Sequence, residues 1–316
     1  MRIAITGATG FIGRKLVMKH LALGDQVRIL SRRSTDEVGL PDSVQCFHGD
    51  LVGESNLTSF SDGVDILYHC AGEITDMSRM ESLHVDGTRR LISAASGRIG
   101  RWVQLSSVGT YGPQRTGIIT EQTTLNPCGV YETTKLQSDI LVQSASLDGA
   151  FEHVILRPSN VFGTGMPNRS LYGLISMIQY KWFFFIGRRG ASANYIHVDN
   201  VVDALVLSAQ INKAAGQVYN LSDHRTLESF TACIAQSLGC HVPRVRFPEL
   251  PVRVLAKLLG GIPGMPLTQN RVDALTIHSF YSTEKIEREL GYRHLISMEE
   301  GLKQLVAGYL QRTVPV

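Results

Sequence analysis

Tyr131-Glu132-Thr133-Thr134-Lys135 sets a phenol and an ammonium four residues apart. On a helix that spacing places both groups on one face. A lone phenol titrates near about 10 and is a poor base at neutral pH. A neighbouring cation favours the phenolate, so such a pair can exchange a proton with a substrate hydroxyl or carbonyl. The same spacing recurs at Tyr281 and Lys285, so spacing cannot choose between the two copies. Position can. The first copy follows Leu105-Ser106-Ser107-Val108-Gly109-Thr110-Tyr111-Gly112, a segment that leaves a strand at its C-terminal end. Open parallel sheets bind their ligands at that end. A serine there can polarise the same substrate oxygen that Tyr131 protonates. The second copy has no such partner and is expected to be structural.

A phosphate-binding loop opens the chain. Thr6-Gly7-Ala8-Thr9-Gly10-Phe11-Ile12-Gly13 follows a short β-branched run and begins a helical pattern. The tight turn, the close approach of a pyrophosphate and the packing of helix on strand each need a residue without Cβ. Bare N–H groups at the helix start then hold the phosphate charge. This strand–loop–helix context predicts dinucleotide binding by Gly7, Thr9, Gly10, Phe11, Ile12 and Gly13. The second strand ends in Ser31-Arg32-Arg33, with no acid before Asp36. A hydroxyl followed by two guanidinium groups suits a ribose 2′-phosphate, which favours NADP, with NAD as the alternative. Asp50-Leu51, after the third strand, can accept from the adenine amino group.

The elements that must position these groups alternate. Strand patterns over 2–6, 27–30, 44–47, 65–69, 102–105 and 153–156 are separated by helical patterns near 11–23, 54–60, 78–97 and 129–146. That alternation predicts an α/β protein with a doubly wound, Rossmann-type parallel sheet. After Pro158 the rhythm changes: loops, a helix over 168–180, an aromatic strand at 182–186, then Ile196–Val198 and a helix over 199–210 returning to the sheet. The last third is helical and punctuated by Pro243, Pro248, Pro251, Gly260-Gly261, Pro263 and Pro266. The expected division is a dinucleotide-binding domain over 1–165, rejoined by 193–221, with a smaller, mainly helical substrate lobe from 166–192 and 222–316.

Bulk composition fits this plan. The chain has 316 residues, 43% of them hydrophobic and 19% charged, enough to bury a sizeable core and to exclude global disorder. A net charge of +3 argues against a dedicated nucleic-acid binder. The five cysteines lack zinc spacing and predict reduced, small buried thiols, no metal and a cytoplasmic location. MRIAIT runs directly into a strand, with no leader expected, and no segment has the length of a membrane span. Trp182–Ile186, the greasiest stretch, is expected to be a core strand, with a membrane-surface contact as the lesser reading.

The sequence resembles the extended short-chain dehydrogenase/reductase family, in its NAD-dependent epimerase/dehydratase branch. The resemblance is carried by Thr6–Gly13, Asp50-Leu51, His69-Cys70-Ala71-Gly72, Val85-Asp86-Gly87-Thr88, Ser106–Gly112 and Tyr131–Lys135. Arg157-Pro158-Ser159-Asn160-Val161-Phe162-Gly163 and Tyr195–Val201 complete it. These motifs span residues 1 to about 205 in family order; the last hundred residues match only through Leu290-Gly291-Tyr292 and Glu299–Leu302. The resemblance implies that Ser107 donates to the substrate oxygen, Tyr131 is the acid/base, and Lys135 lowers its pKa and holds the nicotinamide ribose. It adds Ala71, Gly72, Arg157 and Pro158 to the cofactor-binding set and Asn160 to the substrate side. His84 stands where the family usually has Asn; a packed, hydrogen-bonded histidine is the plain expectation and a titrating relay the sharper one.

For substrate, the resemblance implies a nucleotide-diphosphate sugar, as in surface-polysaccharide synthesis, with Arg169, Arg188, Arg189 and Arg271 as candidate diphosphate ligands. The arginines after the second strand favour exchangeable NADP and therefore a keto-sugar nucleotide reductase. The alternatives are a UDP-sugar 4-epimerase with tightly bound NAD, a steroid- or flavonoid-type dehydrogenase whose pocket is lined by Phe183–Phe185, and a non-catalytic NADP sensor. A homodimer through the helices 78–97 and 129–146 is also implied.

Overall fold

The computed structural model describes residues 1–53, 55–259 and 267–313. The expected Gly260-Gly261, Pro263 and Pro266 breaks lie outside these residues. In chain order the strands are β1 (Arg2–Thr6), β2 (Gln26–Ser31), β3 (Gln45–His48), β4 (Val64–His69), β5 (Ile99–Leu105), β6 (Thr116–Ile119) and β7 (Glu152–Pro158). They continue as β8 (Asn160–Phe162), β9 (Phe185–Ile186), β10 (Ser192–His197), β11 (Gln217–Leu221), β12 (Asp223–Thr226), β13 (Arg246–Phe247) and β14 (His278–Tyr281).

Seven strands form the central sheet in the order β11-β7-β5-β4-β1-β2-β3, every pair parallel. The strands run as near-continuous apolar residues because both faces are covered. Alternation along β1 divides Ile3 and Ile5 from Ala4: the first two join the core under the helices Phe11–Ala22 and Val198–Gln210, and Ala4 joins the opposite core with Phe60, Trp102, Val142 and Phe151. Strand order reverses about β1, so the crevice between β1 and β4 opens at their C-terminal ends.

Three smaller sheets lie outside this platform: β12-β10-β8, β13-β9 and β14-β6. Two expectations change here. The strand at 192–197 does not rejoin the central sheet; it pairs with β8 and β12, and only β11 and the preceding helix return. The aromatic run forms a strand only at Phe185–Ile186. Phe183 and Phe185 are buried in the lobe core with Ile175, Phe230 and Leu302, and Phe184 packs on Phe247, so these rings are structural and do not line a substrate pocket. Helices Arg169–Gln179, Leu227–Ser237 and Met298–Thr313 build that lobe core. The thiols also differ from expectation: Cys128 is exposed and the other four are only half-buried. Among the described residues no helix is long and apolar enough to cross a membrane.

Long-range pairing knits the lobe to the platform. β14, from the last third, pairs with β6, and the Tyr281 ring lies tilted against Tyr111 with centroids 6.2 Å apart. Lys285, four residues on, donates to Gln217 Oε1 and the Val218 carbonyl, both at 2.9 Å. The second Tyr/Lys copy is thus split between a strand and a helix and serves packing.

Beneath the site lies a buried ion pair. Arg157 on β7 donates from Nε (3.3 Å) and Nη2 (3.2 Å) to Asp139 Oδ2 on the helix Val130–Leu147, and Ser106 Oγ donates to the same oxygen at 2.7 Å. Removing one partner strands a buried charge, so Asp139→Ala is expected to lower stability by about 3–5 kcal/mol. Urea unfolding with unchanged m-value checks this; an effect below about 1 kcal/mol would show that the pair is dispensable.

Candidate active site

The candidate site is assembled from strand ends. Thr6, Ser31, His69 and Leu105 each finish a parallel strand on the same edge of the sheet, and the loops after them carry the functional residues. Gly7 adopts φ +69, and a Cβ there would lie 2.6 Å from Ala71 N and Cys70 O, so the loop after β1 touches the end of β4. A Cβ on Gly13 would lie 2.2 Å from Gly7 O, which fixes the helix against its own loop. Gly10 is the N-cap and has no side-chain cap, leaving the first N–H groups of the helix open to an anion. A cavity of about 220 Å³ runs from this loop past Ser31, Arg32, Arg33, Asp50 and Leu51 to Ala71 and Gly72.

These residues fit a dinucleotide. The glycines leave no Cβ in the cradle, and two guanidinium groups stand at the end of β2. Arg32 is largely exposed, with Nη1 3.9 Å from Asp50 Oδ2, and Arg33 N donates to Ser31 Oγ at 3.0 Å. Of the expected loop contacts, Phe11 and Ile12 do not line the cavity. Phe11 packs with the lobe core and Ile12 with the sheet core, so only their backbone faces the loop. Arg79 was missed by sequence reasoning. It is exposed on the helix Met77–Glu81, it lines the same cavity, and it makes no ion pair among the described residues. Nothing in its local sequence separates it from an ordinary surface arginine.

Ser107, Tyr131 and Lys135 converge beside this cleft. Ser107 follows β5 as N-cap of a short turn and donates no backbone strain to the site: its Oγ accepts from Gly109 N at 3.1 Å and is hydrogen-bonded to the Tyr131 phenol. Lys135, one helical turn beyond Tyr131, is buried and donates from Nζ to the Leu105 carbonyl at 2.5 Å. Burial pushes the Tyr131 phenol up to about 12, opposed by the Ser107 hydrogen bond and aided by the Glu132 charge. Lys135 does not lower it in this state; the phenol stands protonated, as a proton donor requires.

Glu132 is the second residue sequence reasoning missed. A Cβ on Gly129 would meet its Oε2 at 2.1 Å, and a Cβ on Gly109 would meet its Cγ at 2.7 Å and the Ser107 Oγ at 3.4 Å. The carboxylate therefore threads between two glycines next to Ser107. It is half-buried and makes no hydrogen bond or ion pair among the described residues. In the first turn of its helix the carboxylate lies at the positive end of the helix dipole, with its oxygens open to donors from solvent or from a ligand.

The other expected ligands do not gather here. The Arg157 guanidinium is 3% exposed and committed to Asp139 and, from Nη1, to the Tyr111 hydroxyl at 3.3 Å, so it supports the catalytic helix from behind. Pro158 ends β7 opposite Leu221. Asn160 donates to the Asn194 carbonyl at 3.2 Å. Arg169 and Arg271 open separate helices, Arg169–Gln179 and Gln269–Thr276, and Arg189 lies exposed between β9 and β10.

His84 sits in a widened π-turn, Ser82–Asp86, inside the helical run 77–95. Its Nε2 accepts from Glu73 N at 2.9 Å, so the other nitrogen carries the proton and donates to Thr134 Oγ1 at 2.8 Å. The ring also stands edge-on to Tyr131 at 5.7 Å. Burial, then the Lys135 charge, lowers its pKa to about 4. It is a neutral strut that ties the loop after β4 to the catalytic helix, and the packed-histidine expectation describes it.

The chain matches the NAD dependent epimerase/dehydratase family over residues 3–222. It belongs to that family and is an NAD(P)-dependent enzyme of the short-chain dehydrogenase/reductase type. Among curated relatives, a 4-hydroxy-2-methyl-3-oxo-4-farnesyl-3,4-dihydroquinoline-1-oxide ketoreductase from Stigmatella aurantiaca is 27% identical over 96% of both chains. A 3 beta-hydroxysteroid dehydrogenase/Delta 5→4-isomerase from Mycobacterium tuberculosis is 25% identical over 98% of this chain and 90% of its own. Among solved structures, UDP-glucuronic acid 4-epimerase from Bacillus cereus in complex with NAD superposes with TM-score 0.77 at 18% identity, covering 99% and 98% of the two chains.

The histidine assignments carry a pH dependence. His84, at about 4, and His69, lowered by burial to about 3, are neutral in the fold and titrate at 6.5 when unfolded. Below pH 6.5 the unfolded chain binds the extra protons, so stability falls with falling pH through this window. His84→Asn is expected to make that fall shallower in urea titrations while its pH–rate profile overlays the parent's. A displaced profile would mean that His84 titrates during turnover.

Proposed function

We propose that the enzyme is an NADP-dependent reductase acting on a keto group, at C4, of a nucleotide-diphosphate sugar. The observation that carries this reading is the unpartnered Glu132 carboxylate beside the Ser107–Tyr131 pair. A sugar offers hydroxyl donors on the carbons flanking its reacting carbonyl, and an apolar ketone offers none. The burial of Phe183 and Phe185 in the lobe core further favours a polar substrate. Solved neighbours of the same architecture hold UDP-glucuronic acid or UDP-glucose together with NAD, which adds support from outside the chain.

The cofactor would lie along the glycine loop, with Gly10 and the helix start on its pyrophosphate and Asp50 near the adenine. Arg32 and Arg33, with Arg79 on the facing helix, would hold a 2′-phosphate, because guanidinium forks match phosphate in geometry and charge. When bound in reduced form, the nicotinamide supplies the hydride. The chain's own work is done at the substrate oxygen. Ser107 donates a hydrogen bond that polarises the carbonyl. Tyr131, kept protonated by burial and by Glu132, gives its proton to that oxygen as negative charge develops. Lys135, held on the Leu105 carbonyl, retains N–H donors for the nicotinamide ribose. Arg271, in the first turn of its helix, is the cation proposed for the diphosphate. The proposed division keeps 1–165 as cofactor platform, rejoined by the helix Val198–Gln210 and β11, with the rest as substrate lobe. A homodimer through the catalytic helix is supported by its exposed Ile140 and Leu147.

A second reading, reduction of an apolar ketone or the reverse oxidation of the corresponding alcohol, is favoured by the names of the curated relatives in Stigmatella and Mycobacterium. Consumption of NADPH with a 4-keto-6-deoxy sugar nucleotide separates the two. It is expected for the wild type and to fall about 10²–10⁴-fold in Tyr131→Phe. Glu132→Gln is expected to raise KM for the sugar more than it changes turnover. The double change Arg32→Ala/Arg33→Ala is expected to raise KM for NADPH about tenfold, equal to ~1.4 kcal/mol, with NADH little affected. Turnover of steroid-like ketones alone would establish the second reading. Interconversion of UDP-sugars without added cofactor would make the protein an epimerase, and equal use of NADH would remove the NADP assignment.

A further inference from the structure

The lobe carries a surface that neither the cleft nor the catalytic residues use. Segment 241–258 crosses it as β13 and the helix Glu249–Leu259. The inward face of that helix, Val252 and Ala256, packs on Ile186 and Val272. Its outward face is apolar too: Leu250 is 78% exposed, Val254 59% and Leu258 74%. Only one flank of the helix, Glu249, Arg253 and Lys257, is charged, and an exposed apolar arc this wide is ordinarily covered. The patch continues across the paired strands, where Phe247 is exposed and Phe184 stands edge-on to it at 5.1 Å. Two residues before Phe184, Trp182 is 74% exposed, with exposed Tyr180 beside it at 6.1 Å.

The charge on these two segments is one-sided. Between 180 and 190 and between 241 and 258 the exposed charged residues are Lys181, Arg188, Arg189, Arg244 and Lys257, all cationic. The one acid, Glu249, is half-buried and accepts from Arg253 Nε at 2.6 Å. This pattern discriminates among occupants. A second copy seated through a two-fold axis would oppose cations to cations. An anionic lipid surface offers an apolar layer and negative charge together. Exposed aromatic rings beside cations also suit a headgroup interface. The helix has 11 residues, too few to span a bilayer, so it would lie in the interface plane.

We propose that the face formed by β9, β13 and the helix Glu249–Leu259 docks on an anionic membrane surface, with Leu250, Val254 and Leu258 entering the interface and Lys181, Arg244 and Lys257 meeting the headgroups. The docking leaves the catalytic residues untouched and holds whichever substrate the enzyme takes.

The test is co-sedimentation of the full-length protein with phosphatidylcholine vesicles and with vesicles containing phosphatidylglycerol. Salt-sensitive binding to the second kind alone is expected. Val254→Glu/Leu258→Glu is expected to weaken it roughly tenfold or more, and Arg244→Glu/Lys257→Glu to remove its salt sensitivity. Thermal unfolding and NADPH binding should match the wild type for both. A readout free of substitutions comes from the two tryptophans, since Trp102 is buried and Trp182 is exposed. Brominated phosphatidylglycerol vesicles should quench the Trp182 emission of the wild type. The proposal is overturned if anionic vesicles neither bind nor quench the wild type, or if the substitutions leave binding unchanged. Concentration-dependent self-association abolished by Val254→Glu/Leu258→Glu would assign the face to a second copy instead.

Discussion

The ion pair between Arg157 and Asp139 is the interaction on which the site's geometry depends. Asp139 lies two helical turns beyond Tyr131 and one beyond Lys135, so fixing its carboxylate fixes the rotation of the whole catalytic helix. Ser106 donates to the same carboxylate oxygen and is the residue before Ser107. The Arg157 guanidinium also reaches the Tyr111 hydroxyl, which donates in turn to Asn220 Oδ1 on β11 at 2.8 Å. One buried charge pair therefore sets the relation of the catalytic helix, two sheet strands and the turn after β5. Hydrogen bonds to Asp139 Oδ2 offset only part of the desolvation cost, since Oδ1 is buried without a partner and burial raises the carboxyl's pKa, so the pair contributes specificity of arrangement more than net stability.

Electrostatics divides the cleft by role. At the cofactor end the charges are chiefly cationic, from Arg32, Arg33 and Arg79, beside an uncapped helix start. At the reacting end the groups are few: a buried ammonium, a half-buried phenol whose ionisation burial opposes, and the half-buried Glu132 carboxylate. Low local polarity makes each of these worth more to a developing charge than it would be in water. His69 and His84 add hydrogen bonds without charge. His69 Nδ1 meets Thr6 Oγ1 at 2.7 Å and its Nε2 meets Thr88 Oγ1 at 3.0 Å, so β1, β4 and the neighbouring helix are joined by a neutral ring. Neutral struts leave the pKa of Tyr131 to burial, Ser107 and the Glu132 and Asp139 charges.

The lobe is joined to this platform by pairings between residues far apart in sequence. β6 leaves the platform and finds β14 more than 150 residues later, while Arg115 reaches Asp273 at 2.7 Å. Substrate choice can vary through such contacts while the strand ends keep their chemistry, which is why one fold serves many reactions. The same separation allows the outer face of the lobe to take on a task unrelated to turnover.

By itself the sequence determined the parts whose signals are local. The glycine loop was legible because three glycines sit between a strand and a helix, and the structure shows why each lacks Cβ: Gly7 touches β4, Gly13 its own loop, and Gly10 leaves an open helix start. Tyr131 and Lys135 were legible because a four-residue spacing on a helix is a statement about geometry. The strands of the central sheet were legible through their apolar runs. Tertiary structure alone decided the rest. Arg79 looked like any surface arginine until the fold placed it across the cleft from Arg32 and Arg33. Glu132 became part of the site only because Gly109, from another element, left room for it. Phe183 and Phe185 moved from a supposed pocket to the core, and the strand at 192–197 left the central sheet for a smaller one. The physical reason is common to all four. Periodicity and turn chemistry are set by neighbours along the chain, whereas the partner of a side chain or a strand edge is set by which distant segment arrives beside it.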